Sequence, residues 1–317
     1  MQGLPYHIAA RISSLDTHRS YDSCHPKTAI EQHGQHQVPT IENSGNVQAL
    51  PYEGIFKSRP VKFVVGKAKE EFFLHSTMVA NCSEALGKMV NRPVVEGQNR
   101  DVQLADDVDD ANTFTAFSEF IYSGDYHMPM IPSDMSPPSP SKPRTTWVPP
   151  HMRTTKLKAT KSKKIEFHTL KTKWLEFTQS KEYGYEDNAA AAPNLNTGNL
   201  DTDYSEFFIA HAKVFMFAEC YGIVGLTSLA IQKLHKALCG FRLSRERVGD
   251  IVALVRFCYE RPGSQRLRDL VVSYSVAILD SDITIDHFRG VLKERAAFAE
   301  DIALLLGQQL VRSREAL

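Results

Sequence analysis

The segment EFFLHSTMVANCSEALGKMVN, residues 71–91, changes its hydrophobic period at His75. Before His75 the apolar side chains of Phe72 and Leu74 alternate with their neighbours, which is the two-residue repeat of a β-strand. After His75 the apolar positions are spaced by four, four and three residues, as on a helical surface: Met78, Cys82, Leu86 and Met89. The segment therefore predicts a strand that ends at His75 and passes into helical structure.

Two neighbouring segments predict further strands. VKFVVG, residues 61–66, alternates apolar positions on one face and is followed by a polar turn, so that it forms a β-hairpin with the strand before His75. RDVQLAD, residues 100–106, alternates Val102 and Leu104 with polar residues and predicts a third strand. We therefore expect a small sheet of three strands that includes the strand before His75.

The segment DDANTFTAFSEFIYSGDY, residues 109–126, predicts a short amphipathic helix with both ends marked. Asp109 or Asp110 can cap its first turn, and Gly124 stands where a glycine commonly ends a helix. Between these ends the apolar residues follow a helical repeat: Phe114, Phe117 and Ile121.

Composition predicts an intracellular protein with one or two domains and additional unstructured chain. The 317 residues are 42% apolar, and 37 basic residues balance 37 acidic ones, so no overall charge favours nucleic acid or membrane partners. The five cysteines contain no CxxC pair and are interpreted as reduced thiols. No apolar run is long enough for a membrane span, and the first residues lack a leader pattern. The expected location is the cytoplasm, the nucleus or both.

Two regions are predicted to be disordered. Residues 1–58 are polar and show no sustained period, and their His33 and His36 are interpreted as a chance pair rather than a metal site. Residues 128–202 hold nine of the sixteen prolines and form a Pro-rich, basic insertion. Within the insertion, residues 142–173 contain ten Lys or Arg and one acid, which leaves open an alternative role as a nuclear or transcriptional regulator.

The chain after the insertion is predicted to be helical. Residues 203–240 contain one helix that is apolar on nearly all sides and a second, narrower amphipathic helix. Residues 241–317 contain three more amphipathic segments and carry no motif that assigns a function.

The order of these elements resembles the BTB/POZ domain, especially its fungal members. The residues that carry the resemblance are VKFVVG, FFLHSTMVANCSEAL, VQLADDVDDANTFTAFSEFIYSGDY and AHAKVFMFAECYGIVGLTSLAIQKL. It covers residues 59–127 and 203–240, on either side of the insertion. The resemblance implies an α+β fold in which a hairpin and a third strand pack against a cluster of helices, followed by the helical region 241–317.

The resemblance also implies a function: binding other proteins, through homo-oligomerisation and as an adaptor for a cullin-type ubiquitin ligase scaffold. The candidate residues for pairing between copies are Thr77, Met78 and Asn81. Those for the scaffold are Met89, Val90 and Asn91. Asn91 replaces the acid that recruiting members often carry, and Pro60 stands where the family usually has an Asp, so scaffold binding is expected to be weak.

Four residues are expected to be structural: His75, Phe117, Tyr122 and Gly124. A catalytic His75 would need an acid, a second base or an oxyanion donor around it, and its neighbours in sequence provide none. The chain also lacks GxSxG, a P-loop, a dinucleotide-binding fingerprint and HExxH. We therefore expect no enzymatic activity, cofactor or metal, and no nucleic-acid partner.

Overall fold

The computed structural model describes eight stretches of the chain, all within one compact unit, residues 41–317. These stretches are residues 52–92, 101–104, 110–128, 173–179, 203–241, 243–260, 264–279 and 282–315. The protein is α+β, with one small mixed sheet and a larger number of helices. Most of the predicted disordered tail, including His33 and His36, and the basic residues 142–172 lie outside the described residues.

The sheet has three strands in the order β2-β1-β3. They are β1 (Pro60–Val65), β2 (Glu70–His75) and β3 (Val102–Leu104). β2 is antiparallel to β1 across a turn that begins at Gly66, whose φ of 68° lies in the left-handed region that glycine adopts easily. β3 is parallel to β1. The predicted hairpin and third strand are therefore confirmed.

Four helices accompany the sheet: α1 (Tyr52–Phe56), α2 (Ser76–Cys82), α3 (Glu84–Val90) and α4 (Ala111–Ser123). The strand ends at His75 and α2 begins at the next residue, as the sequence predicts. Ser83 separates α2 from α3, and its hydroxyl accepts a hydrogen bond from the backbone N–H of Leu86 at 3.1 Å. Because α1 lies inside residues 1–58, the prediction of disorder is wrong for Tyr52–Phe56.

Both predicted ends of α4 are confirmed. The Asp110 carboxylate accepts a hydrogen bond from the backbone N–H of Thr113 at 2.8 Å. Gly124 ends the helix with φ of 77°. Phe114, Phe117 and Ile121 are all buried.

A short helix, α5 (173–179), lies inside the predicted insertion. Trp174 and Phe177 on this helix are 2% and 3% exposed and belong to the hydrophobic core. The prediction that residues 128–202 are a disordered insertion is therefore wrong for residues 173–179. Burying two large aromatic side chains offsets the conformational entropy lost in ordering this turn of chain.

Six helices complete the described structure. They are α6 (Ser205–Cys220), α7 (Val224–Gly240), α8 (Val248–Glu260), α9 (Gln265–Ile278), α10 (Asp282–Glu294) and α11 (Ala296–Glu315). α6 is buried around much of its circumference because it lies between α4 and α8. The Phe217 ring packs against Phe117 at 5.3 Å between centroids, and Phe208 packs against Phe241 at 5.1 Å. One core thus extends from Val61 in the sheet to Ile302 in the last helix.

Candidate protein-interaction surface

Arg59 directly precedes β1 and is hydrogen-bonded to both α2 and α3 at one end of the sheet. Its backbone carbonyl accepts a hydrogen bond from the N–H of Ser76 at 3.0 Å, which fixes the start of α2. Its guanidinium donates to the carbonyl of Val90 at 2.7 Å, which fixes the end of α3. The segments that carry the candidate interaction residues therefore meet near the end of the sheet where Pro60 pairs with His75.

Tyr122 covers the edge of β2 at this end. Its hydroxyl lies 3.2 Å from the backbone nitrogen of His75 and 2.8 Å from the ring Nδ1 of the same residue. The backbone N–H donates to the hydroxyl oxygen. In the neutral tautomer that carries its proton on Nε2, the hydroxyl donates to Nδ1, so that both contacts are satisfied. The histidine thus binds a residue 47 positions away in sequence, which the sequence pattern around His75 does not indicate.

Four rings make up what we call the aromatic surface: Phe56, Phe73, His75 and Tyr122. The rings of Phe56 and Tyr122 approach His75 edge-on, with centroids 6.3 Å and 6.0 Å away. Phe73 lies two residues before His75 and so extends from the same face of β2. Phe56 is 74% exposed, Phe73 64% and Tyr122 50%. Exposed aromatic groups of this size, held on regular elements, are typical of surfaces that bind other proteins.

The predicted interaction residues have different environments. Asn81, Met89 and Asn91 are exposed. Thr77 and Met78 are half-buried, and Met78 packs against the core. Val90 is 3% exposed and lies in the core, so a partner cannot reach it in this conformation, and it does not fit its predicted role.

The predicted structural residues also divide into two groups. Phe117 is fully buried, and Gly124 has the left-handed conformation that ends α4. His75 and Tyr122 join β2 to α4 by a hydrogen bond, but they also form part of an exposed surface.

Sequence reasoning missed Phe56 and Phe73 as candidate contact residues. Phe56 lies in the N-terminal region for which the sequence predicts disorder. Phe73 could have been found from the alternation of β2, because Phe72 and Leu74 face the core, with Leu74 buried and Phe72 partly buried, and alternation directs Phe73 to the other face.

We predict that the bond between Tyr122 and His75 makes a modest contribution to stability. Tyr122→Phe should lower the free energy of unfolding by about 0.5–1.5 kcal/mol, because it removes the hydroxyl that satisfies two His75 nitrogens. In a His75→Gln background the same replacement should lower the free energy of unfolding by less, because the imidazole nitrogen is already absent. Urea unfolding of the wild type, the two single variants and the double variant measures this coupling. Additive costs would show that the bond does not contribute.

Burial governs the ionisation of three cysteine thiols in the described chain. Burial raises the pKa of the Cys82 thiol to about 11 and those of Cys239 and Cys258 to about 12, so these thiols stay protonated near neutral pH. No group of three metal-binding side chains occurs among the described residues. Among the described stretches, no helix is both long and apolar enough to cross a membrane.

One buried polar cluster joins α6, α7 and the chain after α4. The Tyr126 hydroxyl lies 2.8 Å from Nδ1 of His211, and both side chains are buried. The Lys233 ammonium lies 4.3 Å from the centre of the Tyr126 ring and pairs with Asp125. Burial, together with the positive charge of Lys233, lowers the pKa of His211 to about 3. A histidine that is neutral and enclosed in this way stabilises the packing of the helices.

Comparison with known proteins gives no relative: no family model matches the chain, and neither a curated protein nor a solved structure matches it.

Proposed function

We propose that this protein is a non-enzymatic protein–protein interaction module of the BTB/POZ type. The motifs that resemble this family occur on a β-hairpin, a helical pair that opens at His75, a third strand and a helix that ends at Gly124. The two helices α6 and α7 then pack on this group across the insertion. This order of elements supports the proposal, since it is the order that the resemblance implies.

The observation that carries the proposal is the aromatic surface. Phe56, Phe73 and Tyr122 are each at least half exposed. Phe56 and Tyr122 both approach the His75 ring, and Phe73 lies two residues before His75 on the same face of β2. Aromatic side chains contribute more to binding than most other residues when a partner covers them. We infer that this surface forms the centre of a protein contact.

A second copy of the chain is the preferred partner, because two-fold pairing is the commonest oligomer symmetry. A cullin-type scaffold is the second proposed partner, with lower affinity. Asn91 is exposed at the end of α3 and offers an amide where the acid would stand. Pro60 likewise removes a carboxylate beside His75, with which it pairs.

We predict that Phe56→Ser combined with Phe73→Ser reduces self-association without unfolding the chain. The double variant should lower the weight-average mass at tens of micromolar, since truncating an aromatic contact at an interface commonly weakens binding tenfold or more. Sedimentation equilibrium measures the mass, and urea unfolding verifies the fold. Val224→Ser is a matched control, because Val224 is 78% exposed at the start of α7 and outside the aromatic surface. Equal masses for the wild type and the double variant would refute self-association through this surface.

A titration with the N-terminal domain of a cullin-type scaffold tests the second partner. Binding in the high micromolar range or weaker is expected, because Asn91 and Pro60 remove two carboxylates from the contact. Submicromolar binding would show that neither residue weakens recruitment of the scaffold.

A further inference from the structure

The last helix leaves an apolar face uncovered. Leu305 on α11 packs against the core, but on another side of the helix Leu304, Leu310 and Val311 are 57%, 65% and 56% exposed. At 100° per residue these three side chains and Gly307 lie within an arc of about 120°. The exposed residues therefore form one stripe rather than scattered positions, which we call the α11 stripe.

The α11 stripe is symmetric in sequence about Gly307. Leu304 and Leu310 lie three residues before and after it, and Ala303 and Val311 lie four residues before and after it. A Cβ atom placed on Gly307 would meet no atom within 4 Å, so the space in front of this glycine is open. A glycine with open space beside it lets another helix approach closely at this point.

The charges at the two ends of the stripe follow the same symmetry. Glu300 and Arg314 lie seven residues before and after Gly307, on the same side of the helix, and both are exposed. Within one chain these two residues are about 21 Å apart along the helix and cannot pair with each other. An antiparallel second α11 would place Glu300 opposite the partner's Arg314, twice over, whereas a parallel one would place like charges together.

We propose that α11 pairs with α11 of a second copy, antiparallel, across a two-fold axis beside Gly307. At each level of the pair, a leucine of one helix lies beside a leucine of the other: Leu304 meets the partner's Leu310, and Leu310 meets the partner's Leu304. The ion pairs between Glu300 and the partner's Arg314 fix the antiparallel direction. A contact of about four helical turns is at the small end of specific interfaces, so the pair should be weak and dissociate on dilution.

This contact uses neither the aromatic surface nor any residue of the BTB/POZ resemblance, and it can therefore hold or fail independently of the proposed function. If both two-fold contacts form, the chain assembles beyond a dimer, because a subunit with two different two-fold contacts binds two neighbours. The α11 contact is best measured in the Phe56→Ser and Phe73→Ser background, where the other contact is weakened.

Charge reversal tests the pairing. In that background, Glu300→Arg alone and Arg314→Glu alone should each weaken self-association at least about tenfold, because each places like charges opposite one another. The variant with both reversals should recover, since the pairs re-form with exchanged signs. An equimolar mixture of the two single variants should also recover, because each then meets a partner of opposite charge. Sedimentation equilibrium from about 5 to 200 μM measures all five samples.

Recovery in both the double reversal and the mixture supports the antiparallel pair, since no contact within one chain explains it. A strictly monomeric parent at 200 μM would overturn the proposal, as would self-association that the single reversals leave unchanged or that neither the double reversal nor the mixture restores. Gly307→Trp gives a second test: it fills the open space without touching the monomer's core, and it should abolish pairing without lowering the free energy of unfolding. Unchanged pairing in this variant would also overturn the proposal.

Discussion

Replacing both Trp174 and Phe177 by alanine should destabilise the protein to the point of unfolding. Each single replacement of a buried Phe or Trp by Ala costs about 3–5 kcal/mol, and the free energy of unfolding of a typical domain is only about 5–15 kcal/mol. The Phe177 ring lies 5.2 Å from that of Tyr274 on α9 and 4.7 Å from that of His235 on α7. The Phe177 carbonyl also lies 2.8 Å from Nε2 of His235, which donates to it. Helix α5 is therefore part of the core.

The single and double variants can be compared by urea unfolding followed by circular dichroism. Glu176→Ala is the matched control, because Glu176 lies on the same short helix and is exposed. It should change the free energy of unfolding by no more than a surface substitution does, about 0.5 kcal/mol. If the double variant keeps the wild-type midpoint, α5 does not belong to the core.

The sequence pattern did not predict α5, because its two buried aromatic residues follow a segment whose composition is typical of disorder. Trp174 and Phe177 are spaced i, i+3, but two positions do not establish a helical period, and they follow a proline-rich basic run. Their burial depends on Tyr274 and His235, which are far away in sequence. Tertiary contacts of this kind have no local signature.

Elements with local signals were predicted correctly. The hairpin follows from alternation in β1 and β2, and the ends of α4 follow from Asp110 and Gly124, because capping involves residues within one turn. The α+β class follows from this mixture of periods. The candidate surface was harder to predict, since the bond from His75 to Tyr122 and the burial of Val90 depend on how separate elements pack.

The pH dependence of stability should reveal His211. Burial and the nearby Lys233 lower its pKa from 6.5 to about 3 in the folded protein, so between these values the unfolded chain binds one more proton than the folded one. The contribution of His211 to the free energy of unfolding should therefore fall as pH decreases from 6.5 to 3, by at most about 1.4 kcal/mol per pH unit. His211→Gln lacks this contribution, so the free energy of unfolding of the wild type minus that of the variant should fall as pH decreases from 6.5 to 3.

The titration of Asp250 changes stability with pH in the opposite direction and provides the control. Burial raises its pKa from 3.8 to about 6, although the backbone N–H of Tyr204 donates to its carboxylate and opposes the shift. Between pH 4 and 6 the folded state keeps a proton that the unfolded state has lost, so this contribution to stability declines as pH rises.

Because the contributions of His211 and Asp250 to stability oppose each other between pH 4 and 6, the pH dependence of the wild type conceals both. His211→Gln should make stability decline more with rising pH than it does in the wild type, and Asp250→Asn should make it rise more. Urea unfolding at half-unit steps from pH 3.5 to 7.5 separates them, since the other carboxylates are common to all three proteins and cancel in the differences. Parallel curves for the wild type and His211→Gln would mean that His211 titrates normally and is not enclosed by Tyr126 and Lys233.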